Sequence, residues 1–284
     1  MSKKNYVILG YPLKHTISPI IHNTAFQYYN IDCEYGIFSI EPNEFSKIEI
    51  DFFRKSEFQG GNVTIPYKEK IINYLDKISD VAGKIGAVNT FYKKNELLLG
   101  DNTDYHGFFK SINKYNRFLE NKTVVILGTG GSSKAVFHAI LNFNPKKIIM
   151  VSRDKYNSEN FVINKKQYVN LDISEILAFS YEDLEKFNLE EVDTLINTTP
   201  VGMYENILPV KNIVLSMMKK NAFVYDLIYN PEKTKLLEVA ENYGMTTMNG
   251  KEMLIYQAEK AFEIWTGKLF PDELIKKFLD IKIN

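Results

Sequence analysis

Residues 122–135, KTVVILGTGGSSKA, place an apolar run directly before a glycine-rich loop and a helix start. The run Val124–Leu127 has the length and composition of a buried strand, and the helix is predicted to begin about Ser132. Glycines in the loop 128–131 let the backbone turn tightly and approach a pyrophosphate, which then binds the free amides at the helix N-terminus. Ser133 stands where a G-x-G-x-x-G loop has its last glycine, so a purely structural turn is the alternative.

Strand-like runs rich in β-branched and aromatic residues alternate with helical patterns along the whole chain, which predicts a parallel α/β architecture. With 284 residues, the chain is long enough for about two domains. A domain boundary is predicted near 104–120, because a new βαβ unit begins at Thr123 and is complete by about residue 245. The amphipathic helices predicted at Lys251–Thr266 and Pro271–Ile281 are then expected to pack on the N-terminal domain. The predicted domains are residues 1–105 with 246–284, and residues 106–245.

Strands are predicted wherever apolar, β-branched runs end at turn residues. Segment 152–190 is polar and weakly patterned, and no strand is predicted inside it. The polar run Lys93–Glu96 joins two short apolar runs and predicts a hairpin turn. The predicted strands are Tyr6–Gly10, Glu34–Ser39, Gly60–Ile65, Val88–Tyr92, Thr123–Leu127, Lys147–Val151, Thr194–Asn197, Ala222–Asp226 and Met245–Met248.

The charge balance limits the partners that the chain can bind. Lys+Arg 35 and Asp+Glu 35 give a formal net charge of +0, whereas nucleic-acid binders normally carry a basic excess that neutralises phosphates. A small anionic ligand is compatible with this balance, because one or two well-placed cations leave the total unchanged. The single cysteine, Cys33, allows no intramolecular disulfide and no cysteine-rich zinc site, and we interpret it as a small apolar filler.

The N-terminal residues, MSKKNYVILGYP, contain too few consecutive apolar residues for the core of a signal peptide. They are interpreted as the first strand. No stretch of the sequence approaches the roughly 18 apolar residues of a membrane span. The sequence therefore predicts a cytoplasmic protein.

Charged residues follow the strand predicted at Lys147–Val151. In dinucleotide-binding folds, an acid at this strand end accepts from the ribose 2′-hydroxyl, whereas an arginine suits a 2′-phosphate. Arg153 comes first and Lys155 follows, which favours the phosphate, but Asp154 between them suits a hydroxyl. A solvated charged loop is the alternative, and it explains Lys155 but not the position of Arg153.

Lys68 follows the strand predicted at Gly60–Ile65 and lies near a helix start. A lysine near a helix N-terminus feels an unfavourable dipole, and in a cleft a lowered pKa would suit it to proton transfer. Taken alone, Lys68 is better explained as an exposed lysine. Asp101 and Asp104 each suit a helix cap, and Asp101 is interpreted as one. Asp104 gains a chemical role if it lies beside Lys68, because such a pair can donate and accept a proton in an alcohol/carbonyl interconversion.

Two hydroxyls, those of Thr16 and Ser18, lie in the first loop, and Pro19 is predicted at the first helical position. Hydroxyls beside free helix amides suit a carboxylate. Capping of the helix by Ser18 is the alternative, and the two are compatible. His15 has no clustered partner that would suggest a metal or a catalytic triad, and a structural or peripheral role is assigned to it.

These segments form a series of short motifs that runs from about residue 10 to beyond residue 260. In order, they are HTISP at 15–19, NVTIPYK at 62–68, GAVNT at 86–90, NTDYHG at 102–107, GTGG at 128–131, NTTPVGM at 197–203, DLIYNPEKT at 226–234 and NGKEMLIYQ at 249–257. The series resembles the pattern of the shikimate dehydrogenase family, and it covers nearly the whole chain.

The resemblance implies an α/β protein of two domains, an N-terminal substrate domain and a Rossmann-like NADP-binding domain with an active-site cleft between them. It implies reversible, NADPH-dependent reduction of 3-dehydroshikimate to shikimate in chorismate and aromatic amino-acid biosynthesis. The implied cofactor is NADP, with NAD as the alternative. The implied partners are a small-molecule substrate and at most a second copy of the chain, with no nucleic acid and no membrane.

The resemblance also implies roles for individual residues. Lys68 and Asp104 would form the catalytic pair, in which Lys68 gives a proton to the developing alkoxide and Asp104 orients Lys68 and the substrate. The implied substrate-binding residues are Thr16, Ser18 and Tyr229 for the carboxylate, and Thr64, Asn89, Asp104 and Gln257 for the ring hydroxyls. The implied cofactor-binding residues are Gly128, Thr129, Gly130, Gly131 and Ser132 for the pyrophosphate, Ser152 and Arg153 for the adenosine phosphate, Leu227 and Gly250 near the nicotinamide, and Asp80.

Two departures from the family pattern bear on function. Thr16 replaces the first serine of the family motif, which keeps a hydroxyl and adds a methyl group. Asp154 would oppose a 2′-phosphate, and related quinate/shikimate dehydrogenases, some of which use NAD, carry an acid near this strand end. Three hypotheses follow: an NADPH-dependent shikimate dehydrogenase, an NAD(P)-dependent quinate/shikimate dehydrogenase, and a nucleotide-binding regulator that should lack a catalytic group.

Overall fold

A computed structural model describes residues 4–13, 16–45, 53–54, 57–166 and 175–282. The described residues form two compact units. The first unit runs to Gly107 and includes Ile255–Lys282, and the second unit is Phe108–Leu254. His15 lies outside the described residues.

The first unit is built on a mixed six-stranded sheet, in the order β2-β1-β3-β5-β6-β4. β1 pairs in parallel with β2 and β3, but β5 is antiparallel to both β3 and β6. The predicted parallel architecture therefore does not hold for every strand pair of this unit. The reason is the predicted hairpin: Asn95 and Glu96 both take positive φ, 50° and 62°, the conformation of a two-residue turn that joins antiparallel strands. The strands are β1 (Lys4–Gly10), β2 (Cys33–Ser39), β3 (Phe58–Val63), β4 (Lys77–Ile78), β5 (Thr90–Lys94) and β6 (Leu97–Asp101).

The second unit is built on a six-stranded sheet in which every pair is parallel. Its order is β12-β11-β10-β7-β8-β9, the doubly wound order in which the chain direction across the sheet reverses between β7 and β10. Ligands bind such sheets outside the carboxyl ends of the strands at this reversal. The strands are β7 (Thr123–Leu127), β8 (Lys147–Ser152), β9 (Glu175–Ser180), β10 (Thr194–Asn197), β11 (Phe223–Asp226) and β12 (Thr246–Met248).

Helices cover these sheets and bury their apolar side chains against them. The helices are α1 (Ser18–Tyr28), α2 (Asp80–Ile85), α3 (Thr103–Ile112), α4 (Gly131–Ile140), α5 (Lys155–Lys165), α6 (Tyr181–Lys186), α7 (Asn212–Met217), α8 (Lys235–Asn242), α9 (Lys251–Thr266) and α10 (Asp272–Leu279). Short 3₁₀ helices lie at Lys70–Tyr74, Asn113–Phe118, Leu141–Phe143 and Leu189–Glu191. None of the described helices has the length and apolar character needed to cross a bilayer.

Each unit has its own core of buried side chains. In the first unit, Leu9 and Val63 pack with Phe91 on the sheet. In the second unit, every residue of β7 is buried, and Val125 and Leu127 pack with Val151 of β8. The strands that precede the candidate site residues are therefore fixed by well-packed cores.

Candidate active site

Lys68 and Asp104 form an ion pair in the first unit. Lys68 lies just before the 3₁₀ helix Lys70–Tyr74, and Asp104 is the second residue of α3. The Lys68 Nζ lies 2.5 Å from the Asp104 Oδ2, and the two side chains are only 14% and 8% exposed. The structure thus brings together the two residues that the sequence analysis paired, and it does so in a largely buried setting where a charge interaction is strong.

Asn89 holds the second oxygen of the Asp104 carboxylate. The Asn89 Nδ2 donates to Asp104 Oδ1 at 2.8 Å, and the Asn89 Oδ1 accepts from the backbone N–H of Thr103 at 2.6 Å. Asn89 precedes β5, whereas Thr103 opens α3. Both carboxylate oxygens of Asp104 are therefore occupied by protein donors, and the orientation of the carboxylate is fixed.

Gln257 of α9 reaches the same cluster. Its Oε1 accepts from Asn89 Nδ2 and from Thr103 Oγ1, each at 3.4 Å, and the residue is 8% exposed. Gln257 is thus joined within one unit to residues 154 and 168 positions away in the sequence.

A second layer of buried polar groups lies behind Asn89, and the sequence analysis assigned no role to its members. Thr90 and Thr103 share a hydrogen bond of 3.0 Å between their hydroxyls, and Asn62 Nδ2 donates to Thr90 Oγ1 at 3.0 Å. The hydroxyl of Tyr35 donates to Asn62 Oδ1 at 2.8 Å. Asn62, Thr90 and Thr103 each lie within a motif quoted above, and their place in these motifs is the sequence feature that could have identified them.

Thr64 follows β3 and is partly exposed. Its backbone N–H donates to the carbonyl of Leu9 at 2.8 Å. A Cβ at Gly10 would overlap the methyl group of Thr64, so the close approach of the two segments requires glycine at position 10.

The hydroxyls of Thr16 and Ser18 contact each other in the first unit. Thr16 Oγ1 donates to Ser18 Oγ at 3.2 Å and accepts from the Ser18 backbone N–H at 3.3 Å. The interpretation of Ser18 as the cap of α1 is wrong, because α1 begins at Ser18, and the cap position is Ile17, whose side chain makes no cap hydrogen bond. Thr16 Oγ1 therefore accepts from the first amide of α1, and the two hydroxyls lie beside the N-terminus of this helix, where a carboxylate would be stabilised.

The interpretation of Asp101 as a helix cap is also wrong. Asp101 ends β6, and its Oδ1 accepts from Ser79 Oγ at 2.5 Å and from the Asn102 backbone N–H at 2.7 Å. The first turn of α3 is capped by Asn102, whose Oδ1 accepts from the Tyr105 N–H at 3.1 Å. Ser79 caps α2, so the Asp101 carboxylate links the end of β6 to the start of that helix.

The glycine loop of the second unit leads from β7 directly into α4. Gly128 has φ +105°, and a Cβ there would lie 2.7 Å from Thr198 Oγ1, so this position requires glycine. Gly130 occupies the cap position of α4 without a side-chain hydrogen bond, and a Cβ at Gly130 would meet nothing within 4 Å. Ser133, which replaces the last glycine of the usual loop, donates from its hydroxyl to the Gly128 carbonyl at 2.5 Å. An uncapped helix N-terminus beside open space fits a pyrophosphate.

The charged residues after β8 have different partners. Asp154 caps α5, since its Oδ1 accepts from the Tyr156 N–H at 3.0 Å, and Ser152 Oγ donates to the Asp154 carbonyl at 2.5 Å. Lys155 Nζ lies 3.1 Å from Asp183 Oδ2. Arg153 is exposed, and within the described part of the chain it forms no ion pair. Lys155 is thus held by an ion pair, and the phosphate-binding role of Arg153 stays a prediction.

Leu227 and Gly250 lie against each other in the second unit. A Cβ at Gly250 would overlap the Leu227 carbonyl, so the contact requires glycine, and the Gly250 N–H donates to the Ile228 carbonyl at 3.1 Å. Tyr229 follows in the same segment and is partly buried. Asp80 lies on the first turn of α2 in the first unit, where an acid also stabilises the helix dipole. The ligand-binding roles assigned to these residues stay predictions.

Comparisons with known proteins agree with the motif series. A sequence model of the shikimate dehydrogenase substrate binding domain matches residues 8–91, and one of the shikimate 5′-dehydrogenase C-terminal domain matches residues 250–277. A shikimate dehydrogenase (NADP⁺) of Dictyoglomus turgidum is 40% identical over 276 residues, which are 97% of this chain and 96% of that protein.

Solved structures show the same likeness in three dimensions. The shikimate dehydrogenase of Aquifex aeolicus has a TM-score of 0.85 and 31% identity, with 98% of each chain covered. The shikimate 5-dehydrogenase of Listeria monocytogenes, solved in complex with shikimate and NAD, has a TM-score of 0.82 and 32% identity, covering 98% of this chain and 96% of that one. This chain belongs to the shikimate dehydrogenase family.

Proposed function

We propose that the chain catalyses the reversible, NADPH-dependent reduction of 3-dehydroshikimate to shikimate, a CH–OH oxidoreductase step of chorismate and aromatic amino-acid biosynthesis. The observation that carries the proposal is the buried Lys68–Asp104 pair, with Nζ and Oδ2 2.5 Å apart and Asn89 on the other carboxylate oxygen. Family membership supplies the substrate class.

Lys68 is proposed as the general acid in the direction of reduction. NADPH, when bound, supplies a hydride to the carbonyl carbon. The oxygen then becomes an alkoxide, and the Lys68 ammonium gives it a proton, which yields the alcohol. Asp104 holds the Lys68 ammonium in place, so that the ammonium is oriented for donation to the substrate oxygen. Lys68 recovers a proton from solvent, since its side chain is 14% exposed.

The proposed substrate-binding set supplies the hydrogen bonds that a polyhydroxylated ring acid needs. Thr16 and Ser18 offer two adjacent hydroxyls to the carboxylate. The family resemblance assigns Tyr229 to the carboxylate as well. The extra methyl group of Thr16 narrows this pocket but removes no donor. The remaining members would bind the ring hydroxyls: Thr64, Asn89, Asp104 and Gln257.

The residues of the second unit fit a dinucleotide phosphate. Gly128, Thr129, Gly130, Gly131 and Ser132 would hold the pyrophosphate at the N-terminus of α4, which has no side-chain cap. Ser152 and Arg153 would hold the 2′-phosphate, and Asp154 opposes it less than its charge suggests because its carboxylate caps α5. Leu227 and Gly250 would lie beside the nicotinamide. The family resemblance also assigns Asp80 to the cofactor.

A second candidate function is NAD(P)-linked quinate/shikimate oxidation, which Asp154 favours. The two candidates are separated by assaying purified protein with shikimate and quinate, each with NADP⁺ and NAD⁺. We expect the highest kcat/KM with shikimate and NADP⁺. Clear turnover of quinate would favour the second candidate. Absence of shikimate-dependent reduction of either cofactor would overturn both, and cofactor binding without substrate binding in calorimetry would then indicate a regulator.

The proposal includes a cytoplasmic location, small-molecule partners only, and a monomer or homodimer. The net charge of +0 supports the absence of a nucleic-acid partner. Light scattering coupled to gel filtration tests the oligomeric state, and cell fractionation tests the location.

A further inference from the structure

Asp226, the last residue of β11, is a fully buried carboxylate that the proposed reaction does not use. Its Oδ1 accepts from Asn197 Nδ2 at 3.0 Å and from the Ile228 backbone N–H at 3.1 Å. Its Oδ2 accepts from Thr234 Oγ1 at 2.7 Å. All of its partners are neutral donors from different segments of the second unit.

Within the described part of the chain, Asp226 has no basic side chain within ion-pair distance. Burial raises its pKa to about 6, although the hydrogen bonds from Thr234, Ile228 and Asn197 act in the opposite direction. A buried carboxylate without a cation costs free energy unless its donors stay in place. The carboxylate and its donors must therefore hold one geometry.

The segments that meet at Asp226 also surround the glycine contact of the second unit. Asn197 Oδ1 accepts from Thr199 Oγ1 at 2.7 Å, and the Leu227 N–H donates to the Asn197 carbonyl at 3.0 Å. The Ile228 carbonyl accepts from the Gly250 N–H at 3.1 Å, and Gly250 lies against Leu227. The carboxylate thus fixes the backbone at 227–228, to which Gly250 is bonded in turn.

We infer that Asp226 is a positioning residue for the nicotinamide end of the cofactor site, acting through the backbone of Leu227 and Ile228. The inference rests on the proposed function, which assigns Leu227 and Gly250 to that end. Thr234 connects this carboxylate to α8. Its hydroxyl donates to Asp226 and accepts from the Leu237 N–H, at 3.4 Å, at the start of that helix.

Calorimetric binding of two ligands tests this inference without measuring turnover. One ligand is NADP⁺, and the other is adenosine 2′,5′-bisphosphate, which carries the phosphorylated adenosine end but no nicotinamide. In Asp226→Ala, the donors lose their acceptor, and we expect NADP⁺ to bind ~10-fold more weakly, while the bisphosphate binds within about twofold of wild type. Asp226→Asn should restore most of the NADP⁺ affinity, because its Oδ1 can still accept and Thr234 Oγ1 can accept from its amide.

A milder pair of variants guards against misfolding of Asp226→Ala. Thr234→Val removes the donor and should weaken NADP⁺ alone, by roughly threefold, whereas Thr234→Ser keeps it and should bind both ligands like wild type. The control is Asp193→Asn, at the other end of β10, where a carboxylate accepts from the Thr123 N–H at 3.0 Å. It should alter neither affinity.

The outcomes separate this inference from the proposed function. Equal weakening of both ligands in Asp226→Ala and Thr234→Val, or no weakening of either, overturns the inference. If wild type binds NADP⁺ but shows no shikimate-dependent turnover, the proposed function fails, and the selective loss of NADP⁺ affinity still tests the positioning role of Asp226. If wild type binds no NADP⁺, both fail.

Discussion

Asp104 in the first unit and Asp226 in the second are both buried carboxylates near the end of a structural element, but they differ in their partners. Asp104 of the first unit lies against the Lys68 ammonium and one amide. Asp226 of the second unit is bonded only to neutral donors, and burial raises its pKa to about 6. In the first arrangement, an ammonium group that can donate a proton lies beside the carboxylate. In the second, the carboxylate links separate segments of the chain through hydrogen bonds.

This difference shows how to separate chemical from structural carboxylates. A proton can be delivered only from a group that holds one and can regain it, and the Lys68 side chain is partly exposed. Asp226 is fully buried, and its partners are an amide, a hydroxyl and a backbone N–H, none of which exchanges a proton in the physiological range. Changes at Asp104 should therefore appear in kcat, and changes at Asp226 in stability and ligand affinity.

The largest effect is expected from removing the proton donor. Lys68→Ala should lower kcat by roughly 100-fold or more, because a general acid–base contributes this much, while shikimate binding stays nearly unchanged. The matched control is Lys260→Ala, which removes an ion pair with Glu263 on α9 of the same unit (Nζ to Oε2 2.8 Å) and should keep wild-type kcat. Steady-state kinetics and calorimetry with shikimate measure the two quantities. A kcat within about tenfold of wild type would exclude Lys68 as the general acid.

The next prediction concerns how ionisation of Asp226 changes the free energy of unfolding with pH. Its folded pKa of about 6 exceeds the unfolded value of 3.8, so the stability that the bound proton contributes below pH 3.8 is lost as pH rises to 6. At about 1.4 kcal/mol per pH unit, this loss is roughly 3 kcal/mol. Asp226→Asn does not titrate, so its free energy of unfolding should rise relative to wild type between pH 4 and pH 6.5. Urea unfolding followed by circular dichroism measures this difference, and parallel pH curves would contradict the prediction.

A titration of opposite sign is expected in the first unit. The ring of His22 is fully buried, stacked on Tyr35 with centroids 4.5 Å apart, and burial lowers its pKa to about 3 despite the nearby Asn62. The unfolded value is 6.5, so stability is complete above pH 6.5 and falls as pH drops toward 3. The loss at pH 5 is roughly 2 kcal/mol.

His22→Phe keeps an aromatic ring and should remove this dependence. Trp265, the single tryptophan, has its ring 4.9 Å from His22, so its fluorescence reports unfolding of the first unit. The measurement is urea unfolding of wild type and variant at pH 5 and pH 7. The prediction fails if the two proteins lose the same stability between these pH values.

Much of the second unit could be predicted from sequence because its strands are continuous apolar runs. The strands Thr123–Leu127 and Thr194–Asn197 have the predicted bounds, since Lys122 and Gly128 mark the ends of the first run. The edge strand Glu175–Ser180 was missed. Five of its six residues are only partly buried, and it has one strand neighbour, so its sequence carries little periodicity.

The site was less predictable, because it depends on distances that sequence position does not determine. Lys68 and Asp104 each lay at the end of an element, but only the tertiary fold brings them within 2.5 Å. Capping rules failed at Ser18 because the helix begins there and its hydroxyl bonds Thr16 instead. The Ser18 N–H donates to Thr16 Oγ1 two residues earlier, a local side-chain turn that competes with helix capping. The ligand roles of these residues come from the family resemblance and stay predictions.

The smallest expected effect is a difference in kcat between two variants. The same substitution, aspartate to asparagine, is made at two aspartates that each pair with a lysine. Asp104 Oδ2 lies 2.5 Å from Lys68 Nζ, and Asp193 Oδ1 lies 2.6 Å from Lys219 Nζ, with side-chain exposures of 8% and 15%. Each carboxylate also accepts a hydrogen bond from an N–H donor. Asp104→Asn should lower kcat roughly tenfold, because a neutral amide holds the ammonium less firmly and loses about 1.4 kcal/mol. Asp193→Asn loses the same kind of interaction outside the proposed site, so it should reduce the free energy of unfolding and leave kcat within about twofold of wild type. Equal loss of kcat in both variants would show that the Asp104–Lys68 pair acts through stability alone, and the distinction between a chemical and a structural carboxylate would then fail at the residue that carries it.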